Sequence, residues 1–257
     1  MTTYWNSELY LRFESERTRP SVDLVNALGV DSPKNIIDIG CGPGNSTAVL
    51  AERFPDADII GVDNSIEMIE KARSLYPEIS FSMLDASGDL SAYTGTFDLV
   101  FSNSCIQWLP NHSRLLPCLM SLLSPGGVLA VQIPVNYDEP IHRIIRTIAS
   151  SPEWSGKFES HRSINVLAYA EYYNILSTIS SDFNLWQTTY YYRMPSHEAI
   201  LDWYRATGLR PYLSQLEPAE ICEFENEVLV SISHEYKIEP CGEIIMPFPR
   251  LFFTAKS

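Results

Sequence analysis

The sequence predicts an α/β protein whose core is an open, mostly parallel sheet of seven strands. Two observations predict this fold class. Short apolar runs alternate with helix-like segments from about residue 20 to residue 134, which is the pattern of strand–helix–strand units. A glycine-rich loop, Gly40 to Gly44, directly follows the first apolar run, and in open α/β folds such a loop lies at the ligand-binding edge of the sheet. Both features are typical of Rossmann-like sheets.

Five strands are predicted in the first half of the chain, each a short run rich in β-branched residues. They cover residues 35–40, 58–63, 79–84, 97–103 and 127–134. Crossover helices are predicted between them because apolar residues recur there at helical spacing. These helices cover residues 46–54, 65–76 and 112–123.

The pattern changes after Pro134. Helices are predicted at 142–150, 164–179, 197–207 and 218–236, and strands at 184–194 and 250–257. Ser196 is a suitable N-cap for the third of these helices. We therefore predict one domain, 1–257, with a ligand-binding core and an N-terminal lid segment in 1–134. A mainly helical substrate cap with one sheet strand follows in 135–249, inserted after strands five and six, and 250–257 forms the closing strand.

Composition and charge exclude several classes of protein. The chain has 32 acidic and 18 basic residues, a net charge of −14, which argues against nucleic acid as the partner. Its five cysteines show no C-x-x-C spacing, so they are predicted to be reduced, buried thiols and no metal site is expected. No apolar run approaches the roughly 18 residues of a membrane span. The sequence predicts a soluble, cytoplasmic protein without a membrane partner.

The glycine loop and the acids around it describe a ligand. Asn45 stands where the dinucleotide fingerprint has its last glycine, so that fingerprint is incomplete. Asp38 precedes the glycines and would repel a pyrophosphate but attract an ammonium group. Asp63 ends the second strand, where a carboxylate reaches two ribose hydroxyls. Asp85 ends the third strand and could contact an adenine or, alternatively, cap a helix. The ligand therefore has an amine, a ribose and a base, but no phosphate.

At these residues the chain resembles the class I methyltransferases that use S-adenosylmethionine, in order through about residue 134. More narrowly, it resembles the trans-aconitate methyltransferase family across nearly its whole length, in "YWNSELYLRFESERTRP", "DIGCGPGNST", "QWLPNH", "TTYYYRMPSHEAILDWYRATGLRP" and "FPRLFF". The resemblance implies S-adenosylmethionine as cofactor and methyl-ester formation on a small polycarboxylate.

The resemblance also implies two sets of site residues. The cofactor set consists of Asp38, Gly40, Cys41, Gly42, Gly44, Asn45, Asp63, Asn64, Met68, Asp85, Ala86, Asn103 and Ser104. The substrate set consists of Arg17, Arg19, Trp108, Tyr190, Tyr191, Arg205, Arg210 and Arg250. Arginines are expected there because a polycarboxylate needs cations with bidentate geometry. His112, in a polar loop, is expected to be exposed rather than catalytic.

No catalytic side chain is predicted. A carboxylate acceptor, with a pKa near 4, is already ionised at neutral pH and needs no general base. Two alternatives stay open at this point: a class I methyltransferase that acts on another small molecule, and a protein that binds an adenosyl ligand without catalysis. A nicotinamide oxidoreductase is disfavoured because the last glycine of its fingerprint is absent.

Overall fold

The structure, a computed structural model, describes residues 14–158, 165–205 and 207–257, without the side chains of Glu14, Ser15 and Arg17. The first 13 residues, on which the predicted N-terminal lid depends, lie outside the described residues. Within the described ranges no helix is long and apolar enough to cross a membrane.

The described chain forms nine α-helices, two short 3-10 helices and seven strands. The strands are β1 (Asn35–Ile39), β2 (Asp58–Asp63), β3 (Ser80–Met83), β4 (Phe97–Asn103), β5 (Leu123–Pro134), β6 (Phe183–Met194) and β7 (Ile244–Lys256). The helices are α1 (Glu14–Asn26), α2 (Asn45–Arg53), α3 (Ile66–Leu75), α4 (His112–Ser121), α5 (Pro140–Ala149), α6 (Tyr169–Ile179), α7 (His197–Arg205), α8 (Arg210–Leu213) and α9 (Pro218–Glu235). The 3-10 helices are Ser91–Tyr93 and Ile106–Trp108.

One sheet contains all seven strands, in the order β3-β2-β1-β4-β5-β7-β6. Strands β1 to β5 pair in parallel, whereas β7 is antiparallel to β5. The central strands β1 and β4 are mostly apolar and buried, and Ile36, Ile37 and Leu99 are fully buried, as expected for parallel strands covered on both faces. The predicted fold class is confirmed. The parallel strands all end at one edge, which we call the carboxyl edge.

The chain divides into two compact units. The sheet unit comprises the described parts of Thr18–Pro134, Ile164–Thr188 and Arg250–Ser257; the helical unit comprises those of Met1–Arg17, Val135–Ser163 and Thr189–Pro249. Helix α6 belongs to the sheet unit because its Tyr172 is fully buried and packs 5.7 Å from the ring of Phe253. The predicted cap, 135–249, therefore does not coincide with the helical unit, and its role in substrate binding stays a prediction.

Three predicted element boundaries differ from the structure by four residues or more. β5 begins at Leu123 rather than 127, because the pairing of Leu123 with Phe97 continues past an irregularity in register despite Pro125 and two glycines. α6 begins at Tyr169 rather than 164, because the backbone N–H of Asn165 donates to the distant carbonyl of Gln107 rather than to a residue of its own segment. The last strand begins at Ile244, six residues before the predicted start.

The prediction that the cysteines are buried was wrong for three of the five. All five are free thiols. Cys41 is buried and Cys105 partly buried, but Cys118, Cys222 and Cys241 are exposed. The first two of these exposed residues lie on helices, where a helix exposes one face, and the third lies in the turn before β7.

Candidate functional site

The glycine loop between β1 and α2 adopts a conformation that other residues rarely adopt. Gly40, Gly42 and Gly44 have φ angles of +74°, +55° and +95°, in the left-handed region that favours glycine. A side chain at position 40 would overlap Cys105. A Cβ on Gly42 would meet no described atom within 4 Å, apart from those of its chain neighbours. Gly40 thus permits close internal packing, and Gly42 leaves open space beside the loop for a ligand.

Two other loop residues of the predicted cofactor set lie differently. The Cys41 side chain is buried in a cluster with Ile69, Ala72 and Phe81, and burial raises the pKa of its thiol. The Cys41 side chain therefore belongs to the core, and its backbone N–H donates to the carbonyl of Val62 at 2.9 Å. Its contact with a ligand stays a prediction. Asn45 is the half-buried first residue of α2.

Asp38, the penultimate residue of β1, is fully buried. Its Oδ2 accepts hydrogen bonds from the hydroxyls of Ser46, at 2.6 Å, and Thr47, at 2.7 Å, in α2. Its Oδ1 has no hydrogen-bond partner among the residues that the structure describes. Burial raises the pKa of Asp38 to about 6, against the opposing effect of the two hydroxyls. The carboxylate thus ties α2 to β1 and keeps one acceptor for a cationic group.

Asp63, at the end of β2, fastens the glycine loop. Its Oδ2 accepts the backbone N–H of Gly42 at 3.0 Å, and its Oδ1 accepts that of Ser65 at 2.9 Å. The Ser65 hydroxyl in turn caps α3 by accepting the N–H of Met68 at 3.4 Å. Because a carboxylate oxygen has two lone pairs, each oxygen of Asp63 can still accept one ribose hydroxyl.

We expect Asp63→Ala to weaken S-adenosylmethionine binding by at least about tenfold, since hydrogen bonds to a charged group contribute roughly 1.5–3 kcal/mol. The dissociation constant is measured by isothermal titration calorimetry. Asp98→Ala is the matched control, because Asp98 accepts the backbone N–H groups of Lys34 and Asn35 at the opposite edge of the sheet. An unchanged dissociation constant in Asp63→Ala, or an equal change in the control, would show that Asp63 does not contact the ligand.

The predicted adenine side lies beyond the ends of β2 and β3. Asn64 and Asp85 are exposed, and Met68 and Ala86 are half-buried. The Oδ1 of Asp85 accepts the hydroxyl and the backbone N–H of Ser87, which lowers the pKa of Asp85. Asp85 therefore holds a turn rather than the start of a helix, and its contact with adenine stays a prediction.

The end of β4 carries polar atoms that lack partners. Asn103 Oδ1 and Gln107 Oε1 are buried and have no hydrogen-bond partner among the described residues. Ser104 has a φ angle of +55°, which is unusual for a residue other than glycine. Trp108, predicted to line the substrate pocket, is half-buried at the end of its 3-10 helix.

Arg250 lies beside this group, on β7. Arginine is rarely buried, but the exposed fraction of Arg250 is only 4%. Its Nη1 donates to the Oγ of Ser104 at 2.9 Å and to the Oε1 of Gln132 at 3.1 Å. Gln132 was not predicted as a site residue. The signal that could have identified it is a lone amide in the otherwise apolar run "GVLAVQIP".

The other predicted arginines differ in their surroundings. The side chain of Arg19 is 68% exposed and lies 3.8 Å from Asp23, and Arg210 is exposed at the start of α8. The side chain of Arg17 lies outside the described residues. These three stay predictions.

The structure argues against Arg205 as a substrate ligand. Its Nε and Nη2 donate to the two carboxylate oxygens of Glu225, at 2.7 and 2.9 Å, and its Nη1 donates to Asp202. Two carboxylates thus occupy its guanidinium, and the bonds to Glu225 connect α7 to α9 within the helical unit. Sequence alone could not show this, because Glu225 is 20 residues away.

The two predicted tyrosines point to opposite faces of β6. Tyr190 is buried and stacks on Tyr192 with ring centroids 6.1 Å apart, whereas Tyr191 is 69% exposed. This alternation is the ordinary geometry of a strand. A role in substrate binding stays a prediction for both.

The expectation that His112 is exposed was wrong. His112 is buried, its Nε2 lies 2.8 Å from the carbonyl of Ile106, and its Nδ1 lies 2.7 Å from the hydroxyl of Tyr172. A carbonyl only accepts, so Nε2 carries the proton and Nδ1 accepts from Tyr172. Burial lowers the pKa of His112. The imidazole is therefore a neutral structural link between the start of α4 and α6.

Comparison with known proteins gives close relatives over the whole chain. A family profile described as a methyltransferase domain matches residues 36–127. The trans-aconitate 2-methyltransferase of Methylobacterium radiotolerans is 43% identical over 256 residues, which cover 98% of each chain. That of Escherichia coli K12 is 42% identical over 252 residues, again 98% of each chain.

Solved structures share the fold at low sequence identity. The YcgJ protein of Bacillus subtilis matches with a TM-score of 0.63 at 14% identity, over 93% of this chain and 98% of that one. The phosphoethanolamine N-methyltransferase 2 of Haemonchus contortus, solved with S-adenosyl-L-methionine, matches with a TM-score of 0.56 at 15% identity, over 93% and 52% of the two chains.

Proposed function

Because the chain belongs to the trans-aconitate 2-methyltransferase family, we propose that it transfers a methyl group from S-adenosylmethionine to a carboxylate oxygen of a small polycarboxylate. The proposed acceptor is trans-aconitate. The observation that supports a polycarboxylate most strongly is the buried guanidinium of Arg250 near the carboxyl edge, hydrogen-bonded to Ser104 and Gln132. Arginine binds carboxylates at fixed angles.

The residues of the sheet unit fit S-adenosylmethionine. Asp38 Oδ1 is a buried acceptor without a partner among the described residues, which suits the ammonium group. Gly42 leaves open space, and Asp63 keeps acceptor capacity for the ribose. When bound, S-adenosylmethionine supplies an electrophilic methyl group with a good leaving group. Asp38, Gly42 and Asp63 would hold it from the β1–β2 side of the carboxyl edge.

The chain's own contribution is orientation rather than proton transfer. A carboxylate with a pKa near 4 reaches the site already ionised, so no proton must be removed before the oxygen attacks. Arg250 would hold one carboxylate and so fix the position of the rest of the acid, and holding reactants in a near-attack arrangement can itself lower a barrier by several kcal/mol. Among the described residues, no group of three or more His, Cys, Asp or Glu side chains is placed to hold a metal ion.

The pH dependence should separate binding from chemistry. Because burial raises the pKa of Asp38 to about 6, its carboxylate gains charge as pH rises through 6, and S-adenosylmethionine should bind more tightly above that pH. At saturating cofactor, turnover should be flat from about pH 6 upward, since the acceptor needs no general base near 7. Calorimetry and initial rates between pH 5 and 9 measure the two quantities. An ascending limb of turnover near pH 7, with product release shown to be fast, would indicate a phenol or amine acceptor.

The proposal is tested by incubating the protein with S-adenosylmethionine carrying a labelled methyl group and with a set of small carboxylic acids. The expected result is a labelled monomethyl ester of trans-aconitate, identified by mass spectrometry. Methyl transfer to a different small molecule alone would support the first alternative, and cofactor binding without transfer to any acid would support a non-catalytic role. Cytoplasmic location and the absence of nucleic-acid and membrane partners stay predictions.

A further inference from the structure

Gln132 lies on β5, directly beside Asn103 of β4, and is fully buried. Its Oε1 accepts hydrogen bonds from the Oγ of Ser104, at 2.9 Å, and from the Nη1 of Arg250, at 3.1 Å. A guanidinium has donors only, so the amide atom that faces Arg250 must be the oxygen. The orientation of the Gln132 amide is therefore fixed by its neighbours, and its nitrogen points the other way.

The Nε2 of Gln132 is a buried donor without a hydrogen-bond partner among the residues that the structure describes. Two acceptors of the same region, Asn103 Oδ1 and Gln107 Oε1, also lack partners there, so none of these three groups satisfies another. A buried polar group left unpaired destabilises the folded state. An arrangement that leaves a donor unpaired beside a guanidinium suits a ligand that brings an anionic oxygen.

Ser104 holds Gln132 in this orientation. Its backbone N–H donates to the carbonyl of Gln132 at 2.9 Å, while its hydroxyl donates to the Gln132 side chain. Ser104 does so with a φ angle of +55°, a conformation that is strained for a serine and is concentrated at functional sites. Backbone and side-chain bonds together keep the Gln132 amide in one position.

We propose that Gln132 is a substrate-binding residue: its Nε2 donates to the carboxylate that Arg250 binds, which is one that is not methylated. Gln132 and Arg250 belong to neighbouring antiparallel strands, and Arg250 pairs with Pro134, two residues after Gln132. Two donors from adjacent strands fit the two oxygens of one carboxylate. The inference rests on the proposed function. It adds the neutral donor of Gln132 to the charged donors of Arg250, and a site with both donors favours acids that have a second carboxylate.

The experiment compares kcat/KM for trans-aconitate and for crotonate, which has a similar double bond but one carboxylate. Gln132→Met removes the amide at nearly the same volume. It should lower kcat/KM for trans-aconitate by at least about tenfold, as for loss of one hydrogen bond to a charged group, and leave the rate with crotonate and the dissociation constant of S-adenosylmethionine nearly unchanged. Gln187→Met, at an exposed position of β6, is the matched control and should change neither rate.

Gln132→Glu is the second variant, in case the methionine variant does not fold. It keeps an oxygen toward Arg250 and Ser104 but replaces the donor by an acceptor, so it should lose trans-aconitate activity while keeping cofactor affinity. An unchanged ratio of trans-aconitate to crotonate activity, within about threefold, in the folded variants would overturn the inference, as would equal loss with both acids or loss of cofactor binding, since each indicates a structural role. If the unmodified protein methylates no polycarboxylate, the proposed function itself fails.

Discussion

Asp38→Asn is expected to make the protein more stable at pH 7 while weakening its binding of S-adenosylmethionine by at least about tenfold. The asparagine Oδ1 can still accept the hydroxyls of Ser46 and Thr47, so the link between β1 and α2 is kept. The change removes the negative charge. It also replaces the oxygen that has no hydrogen-bond partner among the described residues with an amide donor.

The gain in stability follows from the pKa of Asp38. Burial raises it from 3.8 to about 6, so between these values the folded state binds more protons than the unfolded state, and stability falls as pH rises. The penalty is nearly absent below the unfolded value and complete above about 6. A pKa difference of this size corresponds to a penalty on the order of 3 kcal/mol at pH 7. We expect the variant to recover about 1–3 kcal/mol of the free energy of unfolding at pH 7 and little at pH 4.

Denaturant unfolding at pH 4 and pH 7 measures this difference, and calorimetry measures cofactor affinity. Asp98→Asn is the control of opposite sign, because a hydrogen bond from the Ser124 hydroxyl, helped by two backbone N–H groups, lowers the pKa of Asp98. Its ionised form is therefore favoured by folding, and that variant should lose stability at pH 7. If Asp38→Asn is no more stable than the parent at pH 7, the buried charge is not destabilising; if its cofactor affinity is unchanged, Asp38 does not face the ammonium group.

Arg250→Lys is expected to reduce kcat/KM for trans-aconitate by at least about tenfold, equivalent to roughly 1.4 kcal/mol, with nearly unchanged cofactor affinity. The Arg250 guanidinium donates from Nη1 to Ser104 and Gln132, and a planar guanidinium presents its donors at fixed angles that match a carboxylate. A lysine ammonium is a single centre and cannot reproduce that geometry.

The control for Arg250→Lys is Arg143→Lys. The Arg143 side chain is 58% exposed and pairs with Glu235 in the helical unit, so its replacement should leave kcat/KM within about twofold. Equal kinetic constants for the two variants and the parent protein would show that Arg250 has a structural role in β7 and does not bind the acceptor acid.

Much of the fold and the presence of the glycine loop could be predicted because their signals are local. A few neighbouring residues are enough to recognise the glycine loop and the apolar runs of β1, β2 and β4. Strands β2 and β4 have the predicted bounds. The loop conformation also follows from residue type, since positive φ angles at three nearby positions require glycine.

The remaining features depend on contacts between distant residues. The burial of His112 requires Tyr172, 60 positions away, and the hydrogen bond of Gln132 with Arg250 spans 118 positions. Arg205 was predicted to bind the substrate, but its guanidinium donates to Glu225. The identity of a charged or polar residue in the sequence does not show whether the residue binds a ligand or another part of the chain.

The ratio of kcat/KM for trans-aconitate to that for crotonate, measured with the unmodified protein at saturating S-adenosylmethionine, tests the central claim most directly. If a second carboxylate is held while the first is methylated, the ratio should be at least about ten, the value for roughly 1.4 kcal/mol of differential binding. A ratio near one, or methyl transfer to neither acid, would contradict the assignment of this site to polycarboxylates.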